Sequence, residues 1–140
     1  MTRMEALYTA HAKATGGREG PGATDDGRLS VKLSTPKQLG GGGEGTNPEQ
    51  LFAIAYAACL LGAVKFVGGR DKIAVPTDAS IDSAVGIGKI PGGFRIAVEL
   101  KISLPGVGPE AADHLIAEAD KVCPYSNATR GNIEVRFIRA

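Results

Sequence analysis

The segment LFAIAYAACLLGAVKFV, residues 51–67, is apolar on nearly every face of a helix. A surface helix shows one apolar stripe, so a helix apolar all round has to be covered on every side. Its start is well specified. Thr46 can cap with Glu49 three residues on, or Asn47 can cap with Pro48 in the first turn. The run Leu51 to Leu61 falls short of the roughly 18 residues of a membrane span, and Lys65 follows closely, so a buried core helix is expected. The chain has 140 residues, the length of one domain, 1–140. A domain of that size has little material with which to cover such a helix. A homodimer that packs the helix against its own copy is the simplest remedy.

Around this helix the apolar pattern changes period. Residues 5–13, 29–33 and 94–104 alternate apolar with polar, and in the last of these Phe94, Ile96, Val98, Leu100, Ile102 and Leu104 share one face. A strand over 80–89 precedes Pro91-Gly92-Gly93, a turn signal that folds it back onto 94–104, and 132–138 supplies a last strand. A second helix starts near Pro109 and Glu110 and carries Ala112, Leu115, Ile116, Ala119 and Cys123 on one stripe. Pro124 places Cys123 at its last turn. The expected order is β-β-α-β-β-α-β, an α+β architecture with antiparallel pairing of neighbouring strands.

Several function classes are excluded. Sixteen basic and fifteen acidic residues give a net charge of +1 with no basic block, which argues against nucleic acid and membrane surfaces as partners. The first residues carry no apolar core followed by a small-residue cleavage site, so a cytosolic location is expected. The stretch Gly40 to Gly45 formally matches G-x-G-x-x-G, but the crossover to a parallel strand is missing and Pro36 interrupts the approach, so it reads as a flexible loop. His11 and His114 are isolated from each other and from the cysteines, which leaves no metal site. No G-x-S-x-G elbow selects a nucleophilic serine.

The two cysteines, Cys59 and Cys123, remain. Free cysteine is ordinarily a small buried hydrophobe, and a reducing cytosol disfavours a purely structural disulfide. Cys59 lies on the stripe Phe52, Tyr56, Cys59, Ala63, Phe66, whose aromatic rings could receive an apolar substrate. Burial raises a thiol pKa, and the helix dipole fades long before Cys59, so a reactive Cys59 requires a nearby cation. Arg18, in the mobile glycine loop Gly16-Gly17-Arg18-Glu19-Gly20, is the best candidate.

The segments GGREG (16–20), TNPEQLFAIAYAACL (46–60) and VCPYSNATRGN (122–132) closely resemble the organic hydroperoxide resistance branch of the Ohr/OsmC family. The resemblance implies antiparallel sheets wrapped around two long central helices in an intertwined homodimer. It implies a thiol peroxidase with Cys59 as the attacking thiolate, Cys123 as the resolving thiol, Arg18 as the electrostatic partner of Cys59, and Glu49 as the acid that positions Arg18. No bound metal or flavin is implied, and dihydrolipoyl groups, such as those on lipoylated proteins, are the implied reductant. Ten residues of straight helix separate Glu49 from Cys59 by about 15 Å, so a shared site points to Glu49 acting across a dimer. The alternative is a nonenzymatic apolar-ligand or stress-associated binding protein, in which Phe52, Tyr56 and Phe66 line a pocket and the cysteines only pack. A general thiol-disulfide oxidoreductase ranks below both, because it would want a C-x-x-C pair.

Overall fold

A computed structural model of the chain describes residues 3–140. The chain divides between Pro48 and Glu49 into two compact units. The first holds three short strands, β1 (Ala12–Ala14), β2 (Pro21–Thr24) and β3 (Ser30–Lys32), paired antiparallel in the order β1-β2-β3. The expected strand over 5–13 is reduced to β1, and β2 was not foreseen. Leu7 and Tyr8 are exposed, so the alternation there has no apolar surface to pack on, and Ala12 is the first residue to pair, with Thr24.

The glycine-rich segment in this unit carries backbone hydrogen bonds of its own. The Gly41 N–H donates to the Pro36 carbonyl at 3.1 Å and the Gly43 N–H to the Thr35 carbonyl at 3.0 Å. A Cβ at Gly41 would collide with the Thr35 carbonyl, and one at Gly45 with the Lys32 carbonyl, so these glycines permit close backbone approach.

The second unit contains α1 (Pro48–Asp71), the hairpin β4 (Ser80–Ile90) and β5 (Gly93–Ser103), α2 (Pro109–Val122), α3 (Pro124–Thr129) and β6 (Val135–Arg139). Hairpin and sequence agree closely: β4 and β5 pair antiparallel across the turn at Pro91 and Gly92, with Ile90 opposite Gly93 and Val98 opposite Val85. Along β5 the alternation becomes burial, with Val98, Leu100 and Ile102 inside. Phe94, at the start of the series, is exposed. The last strand departs from the antiparallel expectation. β6 pairs parallel to β5, with Val98 opposite Val135, because α2 and α3 form the long crossover that a parallel partner needs.

Tyr56, Leu60, Ala63, Val64 and Val67 of α1 pack with β5 and with Ala112, Leu115 and Ala119 of α2 in one core. That stripe recurs at helical spacing, and α1 is therefore a core helix. The whole of α1 is long and apolar enough to span a bilayer, so the shortness of the run Leu51 to Leu61 does not by itself mark it as a core helix; its packing does. The expectation of cover on every side is met on one stripe only: Ile54 is 68% exposed and Phe66 59% exposed. A single three-stranded sheet and two shorter helices do not reach round a 24-residue helix.

Candidate active site

The second helix behaves as its sequence requires up to Val122, with Gly108 as N-cap and Pro109 in the first turn. Cys123 then leaves helical geometry (φ −63°, ψ 121°), the extended conformation that a following proline imposes. Pro124 does not only end α2. It also opens α3, where a fixed φ and a missing N–H cost nothing in the first turn. Cys123 is thus the C-cap of one helix and the N-cap of the next, rather than a residue in the last turn of one.

This joint delivers Cys123 to α1. Both cysteines are free thiols; Cys123 is fully buried and Cys59 half-buried. Cys123 belongs to the buried apolar cluster and Cys59 packs against it. Tyr125 stands in the first turn of α3, two residues after Cys123. Burial pushes the Cys59 thiol above its ordinary range, the neighbouring Cys123 adds to this, and the Tyr125 N–H offsets part of it.

Three rings from α1 and α3 contact one another. Phe52 meets Tyr56 edge-on at 6.2 Å and Tyr125 edge-on at 5.7 Å, and Tyr56 lies 5.7 Å from Tyr125. Phe52 and Tyr125 also line a cleft of about 400 Å³ with Ile96, Pro124, Ala128 and Ile133. Of the three aromatic residues expected to receive substrate, Phe52 and Tyr56 join this cluster. Phe66, two turns beyond Cys59, lies outside it and faces solvent. The Tyr56 hydroxyl is fully buried and shares a hydrogen bond with Ser126 Oγ at 2.7 Å and with Thr129 Oγ1 at 3.3 Å. Tyr125, Ser126 and Thr129 were missed from sequence. The signal was present in Cys-Pro followed by four helix-compatible residues, but Pro124 was read only as a stop.

Glu49 is half-buried in the first turn of α1. The helix runs unbroken from there to Cys59, so the rise of about 1.5 Å per residue keeps them some 15 Å apart along the axis. Arg18 belongs to the first unit. It sits half-buried in a 3₁₀ turn, Gly17–Glu19, entered through Gly16 and Gly17 at positive φ (76° and 60°), and the next side chain, Glu19, accepts the Thr35 N–H at 3.1 Å. Among the described residues no group of three or more His, Cys, Asp or Glu side chains is gathered for a metal; His114 instead contacts Asp71 at 2.8 Å.

The model of the OsmC-like protein family matches residues 41–137, which include both cysteines. An organic hydroperoxide resistance protein of Xanthomonas axonopodis pv. citri is 61% identical over 137 residues, covering 97% of this chain and 96% of the relative. The chain belongs to the organic hydroperoxide resistance branch of the OsmC-like family. Solved members of this branch share its fold. The organic hydroperoxide resistance protein of Legionella pneumophila superposes with a TM-score of 0.93 at 45% identity, over 97% of this chain and 99% of that one. OhrB of Bacillus subtilis gives 0.87 at 40% identity, over 96% and 100%. The α+β class, its antiparallel sheets and its long helix are those of organic hydroperoxide resistance proteins, which serve in the oxidative stress response.

Proposed function

We propose that this chain is a cytosolic thiol peroxidase that detoxifies organic hydroperoxides, acting as a homodimer. The observation that carries the reading is that Cys59 of α1 packs against the cluster holding Cys123, at the joint of α2 and α3, while Phe52 and Tyr125 of the adjoining helices line an apolar cleft. The Cys59 thiolate attacks the distal peroxide oxygen. The O–O bond breaks, the alkoxide takes a proton and leaves as the alcohol, and the sulfur is oxidised to a sulfenic acid. Cys123 then attacks that sulfur, the S–O bond breaks, an S–S bond forms and water leaves.

The Tyr125 N–H supplies one donor to the thiolate, and Arg18 supplies the positive charge that offsets burial and stabilises the leaving oxygen. Glu49 positions Arg18; the length of helix between Glu49 and Cys59 favours donation from the partner copy. Phe52 and Tyr56, with Phe66 covered in the dimer, receive the apolar part of the peroxide. A dihydrolipoyl dithiol reduces the disulfide, regaining both thiols and leaving as its own cyclic disulfide.

Stopped-flow oxidation by an organic hydroperoxide and by hydrogen peroxide, run in parallel with thiol counting, tests this reading. The organic peroxide should react faster, both thiols should disappear in equal proportion, and dihydrolipoamide should sustain turnover. Retention of both thiols by a chain that still binds apolar ligands would instead mark a binding protein.

A further inference from the structure

The short helix α3 carries no reacting group, yet it is tied down on two flanks. Toward α1 the tie is the buried contact of Ser126 and Thr129 with the Tyr56 hydroxyl. Toward α2 it is a clasp made by two exposed residues. Arg130 Nη2 donates to the Asp120 carbonyl at 2.7 Å, Arg130 Nη1 donates to Asn127 Oδ1 at 2.7 Å, and Asn127 Nδ2 donates to the Lys121 carbonyl at 3.1 Å. The Asp120 carboxylate adds an ion pair to Arg130 at 3.5 Å.

Asp120 and Lys121 stand in the last turn of α2, where carbonyls have no partner within their own helix. Two side chains from beyond the joint occupy those carbonyls. The clasp therefore closes a loop of chain whose apex is Cys123, and it fixes the angle at which α3 leaves α2. The backbone repeats the motif: the Cys123 N–H donates to the Ala119 carbonyl at 2.8 Å, and the Asn127 N–H donates to the Cys123 carbonyl at 3.0 Å. A surface arginine would ordinarily be solvated; here it is spent on helix ends that flank a reactive thiol.

We infer that Asn127 and Arg130 are positioning residues for disulfide closure, holding Cys123 in line with the oxidised Cys59 sulfur. The inference rests on the thiol peroxidase reading. In the step concerned, the Cys123 sulfur displaces hydroxide from the Cys59 sulfenic acid, the Cys123 proton leaves with it as water, and Cys59–Cys123 becomes a disulfide. Closure within one chain is fast because the reacting atoms are held in alignment, and misplacement by about 1 Å costs on the order of a hundredfold. Neither clasp residue takes part in the first oxidation, which uses Cys59 and the peroxide.

The test is a single-turnover experiment on the full chain and on Arg130→Ala, Arg130→Lys and Asn127→Ala, with Cys59 oxidation and disulfide formation timed separately and Cys59 sulfinic acid measured by mass spectrometry. Oxidation should stay within about twofold of the parent in all three. Closure should slow by roughly tenfold or more in Arg130→Ala, with sulfinic acid accumulating, and lysine, which cannot make the same forked contacts, should fall between. Asn127→Ala removes only the Lys121 contact and the Arg130 support, and so serves if the arginine variants fold poorly. Parental closure rates in these variants, or equal slowing of both steps, would overturn the inference. A parent chain that forms no disulfide at all would overturn the reading beneath it as well.

Discussion

Cys59 is held in the middle of a 24-residue helix, whereas Cys123 occupies the one non-helical residue between two helices. The direction of a thiol embedded in an unbroken helix is set by that helix; the direction of Cys123 is set by the two helices it joins, to which its N–H and its carbonyl are both hydrogen-bonded. A disulfide demands a narrow range of Cα separation and dihedral angle. In the proposed mechanism the joint sets Cys123 against the sulfur on α1, so the bond would form without deforming the core that α1 anchors. Both helices bring aromatic rings to the site, and the buried polar contact between them is the Tyr56 hydroxyl of α1 with Ser126 and Thr129 of α3.

Replacing the sulfurs breaks the comparison most severely. Cys59→Ser should abolish peroxide turnover, and Cys123→Ser should permit one oxidation and then accumulate overoxidised Cys59, both read by steady-state assay and mass spectrometry. Comparable steady activity in the two variants would erase the distinction between attacker and resolver.

Arg18→Ala should slow the peroxide reaction by roughly a hundredfold at neutral pH, the scale of a lost transition-state donor. It should also move the rate profile to higher pH. Burial and Cys123 both raise the Cys59 pKa, and without the guanidinium they would be opposed only by the Tyr125 N–H, so the thiolate should appear in more alkaline solution. A profile that stays in place would assign the activation of Cys59 to another group.

Tyr56→Phe sharpens the comparison on the α3 side. It removes the hydroxyl that Ser126 and Thr129 share and leaves buried oxygens short of a partner, at a cost of about 1–3 kcal/mol in urea unfolding. Double replacement with Ser126→Ala should recover part of that loss, because the orphaned group is then gone as well.

The smallest effect concerns the far end of α1, where Arg70 first and His114 second hold the Asp71 carboxyl well below the usual range. A depressed carboxylate pKa contributes stability that is present above about pH 4 and lost as the pH falls below it. Asp71→Asn should therefore lower the melting temperature slightly at neutral pH, with the difference vanishing in acid. The group is exposed and screened, so a shift of a few degrees or less is expected.

The readable parts of the sequence were those where one local rule decides. The β4–β5 hairpin followed from strict alternation and a Pro-Gly turn, and α1 from its cap and composition. Both cysteines stood out by context, and resemblance supplied their roles. The first unit was least legible, because its strands are three or four residues long and their pairing depends on glycines that admit close backbone contact, as at Gly41 and Gly45. The helix α3 was hidden by the double meaning of Pro124, which ends one helix and begins another. The parallel pairing of β6 was hidden too, since direction depends on the length of a crossover and not on the strand's own residues.

Peptide mapping of the unmodified chain after one equivalent of an organic hydroperoxide tests the central claim most directly. The account predicts equal loss of the Cys59 and Cys123 thiols and a single cross-linked peptide pair joining them, reversed by a dithiol. Both thiols intact, or Cys59 oxidised with Cys123 left free, would contradict it.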